Sequence, residues 1–378
     1  MERLANLVLI IATHAYSLIR GRAMKVPKNA KRIVVVHNAK LGDMVCATPV
    51  FRAIRKHIPD AHLIVIGDRA NKNLLSGNLD IDEYIVFEKR FFKLLRTLYV
   101  HEFDFGCVLT PDSYMFSLLF LGGVKAIAIP KIENGFCPFE TKTYKIVRRK
   151  GILVPHRMGS YAPREYLRLL EPIGIMTNDT SKHLALSGVA VHRAEEILKP
   201  LAGRFIVGIA PGAGNKIKEW PTERFAEVAN YLAEKHAAAI VIVGGRDDVM
   251  LSGKMKNLMK IGVAIIDTAG ALSIDELKAL ISKLNLFISV DTGPIYIAEA
   301  FGVPTIDIVG PMDENEQPPI GPIHRVVVPQ NRTKPQLHIM NAREYDHNEA
   351  LRQVESITST MVITEADSLL RELNVMVR

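Results

Sequence analysis

A carboxylate stands between a predicted strand and a predicted helix near the start of the chain. In the stretch VVVHNAKLGDMVCATPVFRAIRKHIPDA, which runs from Val34 to Ala61, Asp43 follows Gly42 where the helix should begin. A carboxylate in this position can cap the helix, which would make it purely structural. It can also accept a proton from a substrate hydroxyl, since a general base acts over hydrogen-bond distances. The stretch alone leaves both interpretations open.

Three turns in the second half of the chain follow apolar runs that are predicted to be strands. They contain Gly212 and Gly214 in PGAGN, Gly244 and Gly245 in VGGRDD, and Asp291, Thr292 and Gly293 in SVDTGPIYIAEA. A helix is predicted after the third turn, and the N–H groups at a helix start favour a bound phosphate. The alternative is that Asp291 or Thr292 only caps this helix. The turns match neither G-x-G-x-x-G nor the P-loop pattern, which argues against a dinucleotide oxidoreductase or a P-loop NTPase.

Polar side chains beside these turns could act on the diphosphate group of a nucleotide. Lys216 and Lys218 follow the first turn and precede the single tryptophan, Trp220. A lysine placed there can neutralise a diphosphate as it leaves, whereas the alternative is a solvated loop lysine. In the second turn, Asp247 or Asp248 could hold a sugar hydroxyl or only cap a helix.

The elements that must position these residues alternate along the chain. Five predicted strands in the first half, RIVVVHN, HLIVIGD, EYIVFE, FDFGCVLT and KAIAIP, are separated by helical segments, and five more, FIVGIA, AAIVIVGG, AIID, LFISV and PTIDIVG, follow in the second. This βαβ order predicts two doubly wound α/β domains with parallel sheets, in which ligands bind beyond the carboxyl ends of the strands. We place the boundaries at residues 1–30, 31–180, 181–345 and 346–378, the last being a helical tail.

Charge is unevenly distributed over the 378 residues. The net charge is +8, and residues 1–180 hold 27 Lys and Arg against 16 Asp and Glu. The first half is therefore expected to meet an acidic partner, such as anionic lipid or a phosphorylated acceptor. Nucleic acid is not expected, because no nucleic-acid motif is present. Cys46, Cys107 and Cys137 have no metal-ligand spacing, so we expect a reducing compartment and no zinc site.

The N-terminal segment combines an apolar helical stripe with basic residues. The stripe consists of Leu4, Leu7, Val8, Ile11, Ala15, Leu18 and Ile19, and the basic residues that follow are Arg20, Arg22, Lys25, Lys28, Lys31 and Arg32. The apolar part is short for a segment that spans about 30 Å of hydrocarbon. It is instead typical of a helix that lies on an anionic membrane surface. The alternative is a helix that packs on the protein itself.

Four motifs together resemble glycosyltransferase family 9, the heptosyltransferases of lipopolysaccharide core assembly. They are LGDMVCATP at 41–49, PGAGNKIKEWP at 211–221, VGG at 243–245 and DTGPIYIAEAFGVPTIDIVGP at 291–311. The resemblance implies a GT-B fold, in which two Rossmann-like domains face each other across a cleft. It also implies inverting transfer of a sugar, heptose above all, from an ADP-sugar to a lipopolysaccharide core or related lipid-linked acceptor, without a metal or another cofactor.

By this resemblance, residues 31–180 bind the acceptor and residues 181–345 bind the nucleotide sugar. Asp43 would be the general base, with Lys40 and Gly42 beside the acceptor. Lys218 would assist catalysis at the donor, whose remaining ligands would be Gly212, Gly214, Lys216, Gly244, Gly245, Asp291, Thr292, Gly293 and Tyr296. The family pattern usually has histidine at the position of Tyr296, and tyrosine does not titrate near neutral pH.

The partners implied are a nucleotide sugar, a phosphorylated lipid-linked acceptor and an anionic membrane surface. The enzyme would be cytoplasmic and peripheral on the cytoplasmic face of the inner membrane. The alternatives are transfer from another nucleotide sugar, a nucleotide-sugar epimerase or hydrolase of the same fold, and a non-catalytic binding protein.

Overall fold

The computed structural model describes residues 2–20, 24–88 and 91–376. They form two compact units: unit 1 comprises Met1–Ser181 and Ile339–Arg343, and unit 2 comprises Lys182–His338 and Glu344–Arg378. Each unit is built on a parallel six-stranded sheet. The predicted tandem of doubly wound α/β domains is therefore confirmed.

Unit 1 begins with a helix and then alternates strands with helices. Its strands are β1 (Arg32–His37), β2 (His62–Gly67), β3 (Glu83–Val86), β4 (Phe105–Val108), β5 (Ala126–Ile132) and β6 (Ile152–His156). Its helices are α1 (Glu2–Arg20), α2 (Leu41–His57), α3 (Arg69–Leu74), α4 (Phe91–His101), α5 (Ser113–Leu121), α6 (Lys142–Val147) and α7 (Ala162–Arg168). The sheet order β3-β2-β1-β4-β5-β6 places β1, which leads into Asp43, near the centre of the sheet.

Unit 2 repeats the same plan. Its strands are β7 (Ile206–Ala210), β8 (Ala239–Ile242), β9 (Ile265–Asp267), β10 (Leu286–Val290), β11 (Thr305–Ile308) and β12 (His324–Val327), in the order β12-β11-β10-β7-β8-β9. Its helices are α8 (Gly188–Leu198), α9 (Thr222–His236), α10 (Val249–Asn257), α11 (Ile274–Ile281), α12 (Gly293–Ala300), α13 (His347–Ser356) and α14 (Ser359–Met376).

The last two helices are part of the unit 2 core. Val354 and Ile357 at the end of α13 and Val362 in α14 are buried together with residues of β7 and β10. The Trp220 indole N–H donates to the Ile357 carbonyl at 2.8 Å, so the chain beyond residue 344 also fixes the loop that follows β7.

One edge strand in each sheet was not predicted from the sequence. Strand β6 contains Pro155, and proline in a sheet is largely confined to edge strands because it cannot donate to the ladder. Strand β12 begins with His324 and Arg325. Both strands are short and interrupted by polar or imino residues, so neither shows the continuous apolar run that identified the inner strands.

Helix α1 packs on unit 1 through one face. Leu9, Thr13 and Ser17 are buried, α1 contacts α5 and α6, and the Tyr16 ring meets Phe120 edge-on at a centroid distance of 5.5 Å. One face of α1 therefore packs on the protein itself, as the alternative interpretation stated.

The predicted apolar stripe lies on the exposed part of α1. Leu7, Val8, Ile11, Ala15 and Leu18 are all exposed, and Leu18 retains 77% of its accessible surface. Arg22 and the side chains of Leu4, Ile19 and Arg20 lie outside the described residues. Within the described ranges, none of the helices has both the length and the hydropathy needed to cross a bilayer.

Candidate functional site

Asp43 lies in the first turn of α2 and not at its cap. The N-cap residue is Lys40, whose backbone is extended and whose side chain makes no capping hydrogen bond. Asp43 is half-buried, Gly42 is buried and Lys40 is exposed. A carboxylate in the first turn is favoured by the helix dipole whatever else it does, but N-capping as the sole role of Asp43 does not fit its position.

A buried histidine that sequence analysis did not select ends the strand before this turn. His37 is the last residue of β1 and is fully buried, with its ring 5.4 Å from the Tyr166 ring. Burial lowers the pKa of His37 to about 4, although the backbone of Asp43 opposes the shift. The imidazole is thus neutral at physiological pH. In the sequence, His37 could have been recognised as a polar residue at the end of an otherwise apolar strand.

The three glycine-bearing turns of unit 2 lie at the carboxyl ends of adjacent parallel strands. The turn at Pro211–Gly214 follows β7, that at Gly244–Gly245 follows β8, and Asp291–Gly293 follows β10, which pairs with β7. This edge of an open sheet is where ligands of doubly wound folds bind.

The loop that follows the first turn is tied to the third turn by an ion pair. The Lys218 ammonium lies 2.9 Å from Asp291 Oδ2 and also donates to the Asp291 carbonyl oxygen. The Tyr296 hydroxyl donates to Asp291 Oδ1. Lys218 and Asp291 are both largely buried, so their charges are weakly screened. We call Lys218, Asp291 and Tyr296 the lysine cluster.

The side chains of the third turn are not used to cap α12. Thr292 is the N-cap residue, yet its side chain makes no capping bond, and the Asp291 carboxylate is directed to Lys218 and Tyr296. The geometry therefore does not favour helix capping as the role of Asp291 or Thr292.

The glycines of the first two turns pack against one carboxylate. A Cβ atom on Gly212 would lie 2.1 Å from Asp248 Oδ1, and one on Gly244 would lie 2.8 Å from Asp248 Cβ. The Gly245 N–H donates to Asp248 Oδ2 at 2.8 Å. Asp248 therefore makes the local capping contact that sequence analysis gave as its second interpretation, and the two glycines are required for close approach.

Lys216 differs from Lys218 in its environment. Its ammonium lies 2.6 Å from Glu219 Oε1 and 3.9 Å from Asp248 Oδ1, and 62% of its side chain is exposed. The hydrogen bond that Lys216 donates to Glu219 raises the pKa of Lys216. It is a solvated, locally paired lysine, as the alternative interpretation stated.

Asp307 adds a buried acid to the lysine cluster that sequence analysis missed. It lies in β11, paired in register with Ser289 of β10, and is 1% exposed. Neither carboxyl oxygen has a hydrogen-bond partner among the described residues. Burial, followed by repulsion from Asp291, raises the pKa of Asp307 well above its ordinary value, while Lys218 opposes the shift. The sequence does show this acid inside the apolar run PTIDIVG, and that pattern could have identified Asp307.

A second ion pair borders the cluster. The Lys182 ammonium is fully buried and lies 2.6 Å from Glu299 Oε2, and it is 6.0 Å from the centre of the Tyr296 ring. Tyr296 is thus held between the two pairs. Among the described residues, the lysine cluster is not part of a metal-ligating group, and the absence of a metal from the transfer reaction stays a prediction.

We expect Asp307→Asn to stabilise the protein at neutral pH. Because the folded-state pKa is raised, the folded protein retains a proton that the unfolded chain releases. Stability is then greatest below about pH 3.8 and falls as the pH rises towards the folded-state pKa. Asparagine does not ionise, so the variant avoids this loss of stability. Each kcal/mol regained in the free energy of unfolding raises Tm by about 2–4 °C.

Melting curves between pH 4 and pH 8 test this expectation. The difference in Tm between Asp307→Asn and the wild type should grow with pH, whereas the exposed control Asp247→Asn should show no such trend. A constant or negative difference would mean that Asp307 is ionised in the folded protein.

Comparison with known proteins identifies the family. The sequence profile of glycosyltransferase family 9 (heptosyltransferase) matches residues 134–345. The lipopolysaccharide heptosyltransferase 3 of Escherichia coli is 27% identical over 289 residues, which cover 72% of this chain and 81% of that protein. The lipopolysaccharide core heptosyltransferase OpsX of Haemophilus influenzae is 25% identical over 287 residues, covering 74% and 78%.

Solved structures share the fold. The glycosyltransferase family 9 protein from Veillonella parvula superposes with a TM-score of 0.74 at 22% identity, covering 93% of this chain and 100% of that one. The E. coli ADP-heptose lipopolysaccharide heptosyltransferase II superposes with a TM-score of 0.73 at 18% identity, covering 91% and 99%. The predicted GT-B fold is confirmed. Since the matching profile spans more than half of the chain, the protein belongs to glycosyltransferase family 9 and is a glycosyltransferase of the heptosyltransferase type.

Proposed function

We propose that this enzyme transfers a heptose, with inversion, from an ADP-sugar to a phosphorylated, lipid-linked core oligosaccharide. The observation that carries the proposal is the alignment of three glycine-bearing turns on adjacent strands of unit 2, with Lys218 between two of them. Backbone N–H groups and a buried ammonium at one sheet edge suit a diphosphate. The structurally similar E. coli enzyme is named an ADP-heptose lipopolysaccharide heptosyltransferase, and this name supports the choice of nucleotide.

The lysine cluster would serve the leaving group. As the bond between the anomeric carbon and the phosphate oxygen breaks, negative charge develops on the ADP. Lys218 is buried enough for its charge to act strongly on that oxygen, and Asp291, held by Tyr296, keeps the ammonium in place. Preorganised cations of this kind stabilise a transition state without reorganisation.

Asp43 of unit 1 would serve the acceptor. An acceptor hydroxyl attacks the anomeric carbon from the face opposite the leaving phosphate, which gives inversion, and its proton passes to the Asp43 carboxylate. The new bond joins the acceptor oxygen to the anomeric carbon, and ADP leaves with its electron pair. Lys40 and Gly42 are proposed to border the acceptor because they flank Asp43 in the same turn.

A thermal-shift and transfer panel tests the donor. A ligand that binds only the folded state stabilises it by about 2.7 kcal/mol at a hundred times its Kd. We expect ADP-heptose and ADP to raise Tm, and UDP- and GDP-sugars to raise it little. A larger shift with a UDP-sugar would refute the ADP assignment. Because Tyr296 stands where the family usually has histidine, the panel should include the widest range of sugars.

We also propose that unit 1 binds the anionic cytoplasmic face of the membrane through α1. Four large apolar side chains of the stripe are exposed, and Lys25 and Lys28 follow the helix as exposed cations. Helix α4, which contacts α5 as α1 does, exposes further aromatic and aliphatic side chains at Phe92, Tyr99 and Val100. Each basic residue near an anionic surface contributes about 1 kcal/mol, and salt screens this share.

Vesicle co-sedimentation with a substituted stripe tests this surface. Because the other face of α1 is packed on unit 1, substitution to serine is preferable to deletion of the helix. The test variant carries four substitutions, Leu7→Ser, Val8→Ser, Ile11→Ser and Leu18→Ser. We expect it to lose the salt-resistant part of its binding to phosphatidylglycerol vesicles and to keep the Tm of the wild type. The control Val189→Ser and Met250→Ser, two exposed positions of unit 2, should bind as the wild type does. Equal loss in both variants, or none in either, would contradict the proposal.

A further inference from the structure

Two loops of unit 2 bring three metal-ligating side chains together. Asp313 and Glu316 lie between β11 and β12, and His338 lies beyond β12. One donor atom from each residue lies within 4.8 Å of the others. We call these three residues the His–carboxylate triad.

The backbone already holds the two loops in place. Leu337 pairs with Met312 in an isolated parallel bridge, and the Asp313 N–H donates to the Leu337 carbonyl at 3.0 Å. The N–H groups of Gln336 and Leu337 both donate to the Pro311 carbonyl at 2.9 Å. The positions of the triad are therefore fixed by main-chain contacts and do not depend on attraction between the side chains.

The two distances from His338 to the carboxylates are those between ligand atoms of a tetrahedral metal site. His338 Nδ1 lies 3.4 Å from Asp313 Oδ2 and 3.3 Å from Glu316 Oε1. A charge-assisted N–H···O bond is usually about 2.7–2.9 Å long. Tetrahedral zinc with bonds of about 2.0–2.1 Å requires its ligand atoms to be about 3.3–3.4 Å apart.

The nitrogen that faces both carboxylates is buried and makes no hydrogen bond of acceptable geometry within the described chain. At 3.3–3.4 Å it faces both carboxylates, and either a proton or a metal ion can bind it there. Both acids are also buried, with 8% of the Asp313 side chain and 3% of the Glu316 side chain exposed. Two buried carboxylates need a nearby positive charge, which either a protonated His338 or a bound cation supplies.

Neighbouring groups orient the ligands and balance their own charges. Asn315 donates to Asp313 Oδ1 from its backbone at 3.0 Å and from its side chain at 2.9 Å, which leaves Oδ2 facing His338. Arg332 pairs with Glu314 and donates to the carbonyls of Gly310 and Met312. The contacts from Asn315 are of the kind that orient metal ligands from behind.

From this geometry we propose that Asp313, Glu316 and His338 bind one zinc ion, with water as the fourth ligand. One nitrogen and two oxygen ligands suit zinc, and a divalent ion neutralises the two carboxylates. The ion would fasten the loop after β11 to the segment that ends at His338, where the chain passes from unit 2 to residues 339–343 of unit 1. Its role is structural, and the proposal does not depend on the identity of the sugar or on the transfer reaction.

The test uses the untagged full-length protein after dialysis against a chelator. Calorimetric titration with zinc should show one site per chain, and zinc should raise Tm. His338→Ala and Asp313→Asn should each weaken zinc binding at least 100-fold, since even residues behind the ligands alter affinity 10–100-fold. The matched control is His236→Ala, because His236 is exposed to a similar degree (27% against 26%) but lies 2.9 Å from Asp367, at ion-pair distance.

Three results would overturn the zinc site. One is the absence of stoichiometric zinc binding, and another is an equal loss of affinity in His236→Ala. The third is a wild-type Tm that zinc leaves unchanged while His338→Ala lowers the Tm of the chelated protein, which would identify a protonated histidine between two carboxylates. If His338→Ala fails to fold, His338→Gln keeps the shape of the side chain and is titrated instead.

Discussion

Asp43→Asn is expected to lower turnover by about 10²–10⁴-fold while leaving nucleotide-sugar affinity nearly unchanged. A general base contributes a factor of this size, and asparagine keeps the shape of the side chain but cannot accept the proton. Donor affinity should persist because the lysine cluster and the glycine-bearing turns belong to unit 2. Turnover and donor Kd must be measured separately, because a change in kcat/KM alone would not separate chemistry from binding.

The control for Asp43→Asn is Asp60→Asn, an exposed position shortly after α2. It should retain full turnover. If Asp43→Asn keeps more than about a tenth of the activity with an unchanged melting curve, Asp43 is not the base, and its contribution is that of a first-turn acid stabilising α2.

Lys218→Ala is expected to lower kcat/KM by about 10²–10³-fold, the usual cost of removing one preorganised donor at a developing charge. Lys216→Ala should cost less than about fivefold, because exposed ion pairs contribute at most about 1 kcal/mol. The contrast follows from their surroundings: the side chain of Lys218 is 14% exposed and bound to Asp291, whereas that of Lys216 is 62% exposed.

Stability must be followed in the Lys218 variants. Removing the ammonium leaves Asp291 without its cation beside Asp307, and such an unpaired buried charge is costly. Lys218→Arg keeps the charge and separates loss of stability from loss of leaving-group stabilisation. Equal effects of Lys216→Ala and Lys218→Ala on turnover and donor affinity would show that the lysines are not distinguished as proposed.

The sequence predicted the parts of the fold that depend on apolar periodicity. The inner strands of both sheets are mostly apolar runs, so they were found together with the edge strands β3 and β9, whereas β6 with Pro155 and β12 with His324 and Arg325 were not. Likewise, the apolar stripe of α1 was found, but the burial of Thr13 and Ser17 was not, because polar residues on a helix are ordinarily read as its solvent face.

The candidate site was predictable only where motif residues are close in the sequence. The turns were selected from their positions after strands, and Lys218 was distinguished from Lys216 only by the resemblance to the family motif. Asp307 and Lys182 were missed because they reach the lysine cluster through sheet pairing and packing, which a single sequence does not display. The His–carboxylate triad was missed for the same reason, since His338 is far from Asp313 along the chain and no ligand spacing connects them.

The chain order of unit 2 constrains how the protein folds as it is synthesised. The indole of Trp220 is bound by a carbonyl 137 residues later, and the helices that close the core come last in the described chain. On the ribosome, most of unit 1 can form while unit 2 is still incomplete, since domains generally fold in the order in which they emerge. The sheet edge beneath the glycine-bearing turns thus acquires its final packing only after α13 and α14 have been synthesised, and a fragment stopped at His338 would expose an apolar face of β7 and β10 to aggregation.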